Sequence, residues 1–125
     1  MIRGKKSPLV HVIAYRKAVG SDLTLIVTPD PLDMTEFPKG DHFITWKLDT
    51  KGYRFSTDPE KPAIQFTSPG WEASFSDLKV DRTGKRATMR NKNSDGLAFA
   101  YNINVFERST GLTAFLDPVV QNNGQ

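Results

Sequence analysis

Only two side chains in this 125-residue sequence are imidazoles, His11 and His42, and there is no cysteine. Without cysteine there is no thiolate nucleophile, no disulfide, no cysteine-ligated zinc and no blue-copper centre. His42 follows Asp41 at the start of an alternating segment, and by parity it shares a face with Ile44 and Trp46. An acid, an imidazole and an indole at one mouth make Asp41, His42 and Trp46 the candidate rim of a small-ligand pocket. The competing reading is architectural, with His42 marking the point where the strand meets solvent. His11 shares a face with Leu9, Ile13 and Tyr15, which fits a partly buried, hydrogen-bonded histidine better than a ligand. If the strands carrying the two histidines pair, His11, His42 and Asp41 could hold a metal and support metal-assisted catalysis. Their spacing does not require this, and no metal site or cofactor is assigned.

A second candidate is a run of cations. Lys79, Arg82, Lys85, Arg86, Arg90 and Lys92 fall within residues 79–92 against a single acid, Asp81. On the face carrying Arg86, Thr88 and Arg90 they form a stripe that could follow phosphates or another polyanion. No aromatic is interleaved for base stacking, so nucleic acid is not the expected partner. The plainer reading is a solvent-facing hairpin whose lysines deter edge pairing. Residues 22–41 are the counterpart, with Asp22, Asp30, Asp33, Glu36 and Asp41 against Lys39, so the chain is polarised although its net charge is only +3. Residues 91–96 match the first half of a calcium loop, but Asn102 stands where the bidentate glutamate belongs, and a β-hairpin turn is expected instead. No serine has a nucleophile-elbow context and no glycine-rich phosphate cradle exists. Catalysis is therefore not the expected role.

Strands must position these groups, because period-2 alternation dominates and no long window carries a helical period. In residues 43–49, Ile44, Trp46 and Leu48 face one way and Thr45 and Lys47 the other. Leu23, Leu25 and Val27 line one face of the preceding strand, and Trp71, Ala73 and Phe75 that of a later one. The longest candidate runs from 97 to 106, with Leu97, Phe99, Tyr101, Ile103 and Val105 on one face. Turn chemistry separates the runs: residues 49–52 should form a hairpin with Gly52 at positive φ, and 67–70, 81–84 and 93–96 punctuate further. The segment 29–40 holds Pro29, Pro31 and Pro38 and reads as one long loop, with a single helical turn near 32–36. About eight short strands at this spacing predict an all-β fold, an antiparallel immunoglobulin-like β-sandwich. Trp46, Phe66, Phe75, Phe99, Tyr101 and Ile103 are its expected core. One domain spans 1–125, with 1–6 and 121–125 as loose termini.

No apolar run approaches the roughly 20 residues of a membrane-spanning helix, so no membrane partner is expected. Arg3, Lys5 and Lys6 ahead of residues 9–15 superficially mimic a signal peptide, yet the apolar part is short, interrupted by His11 and lacks a cleavage site. The expected compartment is the cytoplasm.

Two stretches carry a resemblance. Trp46 is followed 55 residues later by Tyr101, within Asp95-Gly96-Leu97-Ala98-Phe99-Ala100-Tyr101. This is similar to the immunoglobulin-type spacing, with Phe99 in place of the corner tyrosine and Tyr101 in place of a cysteine. The ending Leu116-Asp117-Pro118-Val119-Val120-Gln121-Asn122, together with residues 42–46, resembles small bacterial β-sandwich proteins of the DP-EP family. That resemblance implies a sandwich and carries over no activity. Proline cannot donate to a ladder, so Pro118 puts the last strand after it or at an edge. Val119 and Val120 are then placed to pair with another subunit. The expected role is a non-enzymatic interaction or assembly module, a homo-oligomer or a partner of another protein, self-associating through that edge.

Overall fold

The computed structural model describes residues 7–16, 23–109, 111, 113–116 and 118–124. The basic arm 1–6 and Asp117 lie outside them. The described chain is built from strands and two short 3-10 turns, in two sheets that share one core. The first sheet has the order β2 (Leu23–Thr28), β1 (Leu9–Arg16), β4 (His42–Leu48), β8 (Arg86–Asn91) and β7 (Phe75–Val80). In the second, the long strand β9 (Ala98–Glu107) is a spine. Along one flank it bonds β11 (Val119–Gln121) and β10 (Thr113–Leu116), and along the other β6 (Ile64–Phe66) and β5 (Tyr53–Phe55). The two-residue β3 (Leu32–Asp33) adds to β11. No helix of the described residues is long and apolar enough to cross a membrane.

Alternation places the core as the sequence predicts. Val10, Val12 and Ala14 of β1 and Ile44, Trp46 and Leu48 of β4 point inward, while Leu9, Ile13 and Phe43 point out. From the facing sheet come Phe99, Tyr101, Ile103 and Val105. All six expected core residues are buried. The Trp46 Nε1–H donates to the Tyr101 hydroxyl at 3.0 Å, and the two rings meet edge-on at 5.6 Å. This bond joins the sheets and satisfies two polar groups that burial would otherwise penalise.

Pairing is where the expectations need correction. The sheets are mixed rather than wholly antiparallel, since β1 runs parallel to β4 and β11 parallel to β3. Residues 49–52 and 93–96 are not hairpin turns: each carries the chain from the first sheet to the second, β4 to β5 and β8 to β9. Gly52 does adopt positive φ, +84°. Turn residues encode a change of direction but not the sheet that receives the next strand. Residues 81–84 do form a hairpin, between β7 and β8. The alternating run at Trp71 is a 3-10 turn (Trp71–Ala73) entered through Gly70 in the left-handed region, and β7 begins only at Phe75.

The last strand is not an edge. β11 bonds β9 on one side and β3 on the other, and Val120 is wholly buried. Nor is the tail loose through 124. Asn122 and Asn123 are buried within an amide network. Asn91 and Asn122 exchange Nδ2–H···Oδ1 bonds at 2.7 and 3.1 Å, and the Asn123 N–H donates to Asn93 Oδ1 at 2.8 Å. Asn93 Nδ2 in turn donates to the carbonyls of Met34, Phe37 and Pro38 at 3.1–3.2 Å. The tail thereby clamps the proline-rich loop, which contains β3 and a 3-10 turn (Met34–Glu36), to the end of β8.

Candidate functional site

The two margins of the sheet pair are finished differently. At one, β10 lies against β2. At the other, β6 and β7 flank an open cleft of about 630 Å³. Its floor is an aromatic ladder: Phe66 stacks on Phe75 at 4.0 Å with a 21° interplanar angle, and Trp71 stacks on Phe66 at 5.9 Å. Phe99 and Tyr101 back the ladder from the core. Local sequence explains the placement. The turn 67–70 ends on Gly70 at φ +81°, which launches the 3-10 turn and lays Trp71 over the end of β6 instead of continuing a strand. Pro59, Pro62, Leu78 and Met89 extend the apolar lining.

The rim is polar, and among the described residues its charged groups are carboxylates. Gln65, Glu72, Ser76 and Asp77 border the opening. Asp77 has φ +62°, and the β7–β8 register shifts between Ser76 and Lys79. This bulge bends the edge strand while Leu78 packs against the core. Asp77 is engaged by Arg90, whose Nε lies 3.5 Å from its carboxylate; Arg90 also reaches Asp41 at 4.0 Å and covers the Phe43 ring at 5.4 Å. Glu72 is exposed and pairs with no described side chain. Among the described residues, no histidine or lysine lines the cleft. Such a surface can bury the apolar body of a ligand and attract positive charge, but it brings together no nucleophile and base.

The residues singled out from sequence are dispersed. Trp46 has no exposed surface and its one polar atom is bound to Tyr101, so it lines no opening. His42 leans on Phe37, and its Nε2 lies 2.7 Å from the Pro38 carbonyl. Asp41 is exposed beside Arg90. The trio therefore forms no pocket rim; His42 braces the proline-rich loop. His11 is on the outer face of β1, with Nδ1 2.8 Å from Asp49 Oδ2, whereas His42 by parity points inward from β4. Among the described residues, no three histidine, aspartate or glutamate side chains converge on a metal position.

The cationic stripe is also interrupted. Lys85 turns inward and donates to the Thr50 carbonyl. Burial there, with Arg108 nearby, lowers its affinity for a proton below that of an ordinary lysine. Arg90 is occupied by Asp77 and Asp41, while Lys79, Arg82, Arg86 and Lys92 are exposed. In the calcium-like segment, Asn91 and Asn93 spend their side chains on the buried network and Ser74 donates to Asp95, so the segment is structural.

Sequence reasoning places Phe66 and Phe75 in the core and Trp71 and Glu72 on opposite faces of a strand, but singles out neither of these nor Asp77 for a site. The available signal was Pro69-Gly70 immediately before Trp71, which argues against reading that tryptophan as mid-strand. No protein-family model matches the chain, and no curated protein matches it significantly.

Proposed function

We propose that the chain is a non-enzymatic interaction module, an immunoglobulin-like sandwich of the DP-EP kind, that binds another protein's chain in the cleft between β6 and β7. The observation that carries this reading is the partly covered aromatic ladder ending at Trp71, an apolar surface left open at the margin of the core. Self-association through the terminal strand is not part of the proposal, because β11 is bonded on both sides. The β2 margin suits self-pairing poorly, since β10 lies against it.

The test is to pan the folded protein against a random peptide library, then titrate selected peptides into ¹⁵N-labelled protein. Backbone shifts confined to 64–66, 71–78 and 89 are expected, abolished in Trp71→Ala. Shifts centred on 79–92 would move the reading to the cationic hairpin, and shifts centred on 41–46 to the His42 region.

A further inference from the structure

The chemistry of the cleft selects its occupant. Its floor and walls are apolar, with Trp71, Phe66 and Leu78 offering surface on which a hydrocarbon stem can lie. Among the described residues, its charged lining consists of Glu72 and Asp77. Asp77 is balanced by Arg90, but Glu72 stands one residue after the partly covered tryptophan with no described cation beside it. A carboxylate next to an aromatic face attracts a cation through both its charge and the ring quadrupole, and a long aliphatic stem completes the fit.

The walls add a second requirement. Among the described residues, β6 is paired only with β9 and β7 only with β8, so each presents a main-chain edge without a described partner along the cleft. At the bulge, Asp77 and Leu78 have no ladder partner on β8. Such edges on both sides favour an extended backbone lying between them over a small amine, which could use only the rim.

We infer that the cleft takes a lysine or arginine side chain presented by an extended, apolar-flanked peptide, its stem against Trp71 and its cationic head at Glu72. This rests on the cleft being the binding surface, and the experiment separates the two claims. The probes are acetylated, amidated pentapeptides Val-Xaa-Val-Xaa-Val with Xaa lysine, arginine, norleucine or glutamate, together with n-butylamine. Each is titrated into ¹⁵N-labelled protein and into Glu72→Gln, an exposed substitution whose folding is checked by circular dichroism.

The lysine and arginine peptides should shift the resonances of 64–66 and 71–78, with the norleucine peptide about tenfold weaker and the glutamate peptide weaker still. Glu72→Gln should lose the same tenfold for the cationic peptides and nothing for norleucine, and raised salt should narrow the gap. Equal binding of lysine and norleucine peptides at the cleft would overturn the cationic occupant and leave the cleft as the binding surface. Binding of n-butylamine as tight as that of the peptide would overturn the extended chain as the source. If no probe moves the cleft resonances, both the occupant and the binding surface are wrong.

Discussion

Trp46 lies mid-strand in β4 with no exposed surface, its indole N–H given to the Tyr101 hydroxyl across the core. Trp71 lies on a 3-10 turn past a left-handed glycine, stacked on Phe66 and bordering an open cleft, and no described group accepts its N–H. Both belong to one continuous aromatic cluster, since Phe66 touches Trp71 and Tyr101 alike. What separates them is completion. At Trp46 the protein supplies every neighbour and the one hydrogen-bond acceptor, so the residue holds the sheets together and has nothing left to offer a ligand. At Trp71 the protein supplies part of the surroundings, and solvent or a partner supplies the rest. An aromatic in a clean strand is thus weaker evidence for a site than one displaced from a strand by its turn.

The sharpest way to break this comparison is to truncate Trp46. Trp46→Ala removes a fully buried ring and leaves the Tyr101 hydroxyl without its donor, and should destabilise the fold by about 3–5 kcal/mol in urea denaturation. Tyr101→Phe keeps the ring and orphans only the buried indole N–H, so a smaller loss of about 1–3 kcal/mol is expected. If both variants stayed within about 0.5 kcal/mol of the parent, Trp46 would not be the structural member of the pair.

How much of this was readable beforehand follows the same division. Alternation identifies Trp46, Phe75, Phe99, Tyr101 and Ile103 as core, because side-chain parity is a local property of a strand. Which strands pair is not local. Gly52 and Gly96 mark turns correctly, yet each turn carries the chain to the other sheet, a destination fixed by packing far away in sequence. The cleft is harder still, since its walls come from 59–66, 71–78 and Met89 and share no spacing. The tail departs from its composition for a different reason. Gln121-Asn122-Asn123 has the composition of a frayed end, and only the matching amides of Asn91 and Asn93 make its burial favourable.

That network gives the next largest effect, and it extends the comparison to polar groups. Asn93→Ala removes three donations to the carbonyls of Met34, Phe37 and Pro38, withdraws the acceptor for the Asn123 N–H, and puts alanine at φ +51°. About 2–3 kcal/mol of stability should be lost, with faster amide exchange at 32–38 and 122–124. Asn122→Ala, which leaves the Asn91 Nδ2 donor without its acceptor, should cost about 1–2 kcal/mol. Trp71→Ala should cost less than Trp46→Ala, about 1–2 kcal/mol, because the ring is only partly buried. The two indoles should also separate spectroscopically: Trp71→Phe should leave blue-shifted emission that acrylamide quenches poorly, and Trp46→Phe a redder, readily quenched one. Equal quenching in the two variants would mean that Trp71 is not at an open rim.

The smallest effect concerns a group that is satisfied yet exposed, Asp81 at the turn of the β7–β8 hairpin. Partial burial disfavours its charged form, but donations from the Arg86 and Lys85 N–H groups, Gly84 and the Thr83 hydroxyl together outweigh this and hold the carboxyl below the usual 3.8. A carboxyl whose folded value is depressed binds protons more readily in the unfolded chain. Its stabilisation is therefore complete above the unfolded value and drains away as pH falls through the folded one. Asp81 is open to solvent, so screening limits the contribution to about a few tenths of a kcal/mol. Asp81→Asn should lower the urea midpoint slightly at pH 7, and the difference should close in acid as the parent protonates. A gap that persisted unchanged to about pH 2 would mean that the hairpin is held by the geometry of the turn and not by the charge of its carboxylate.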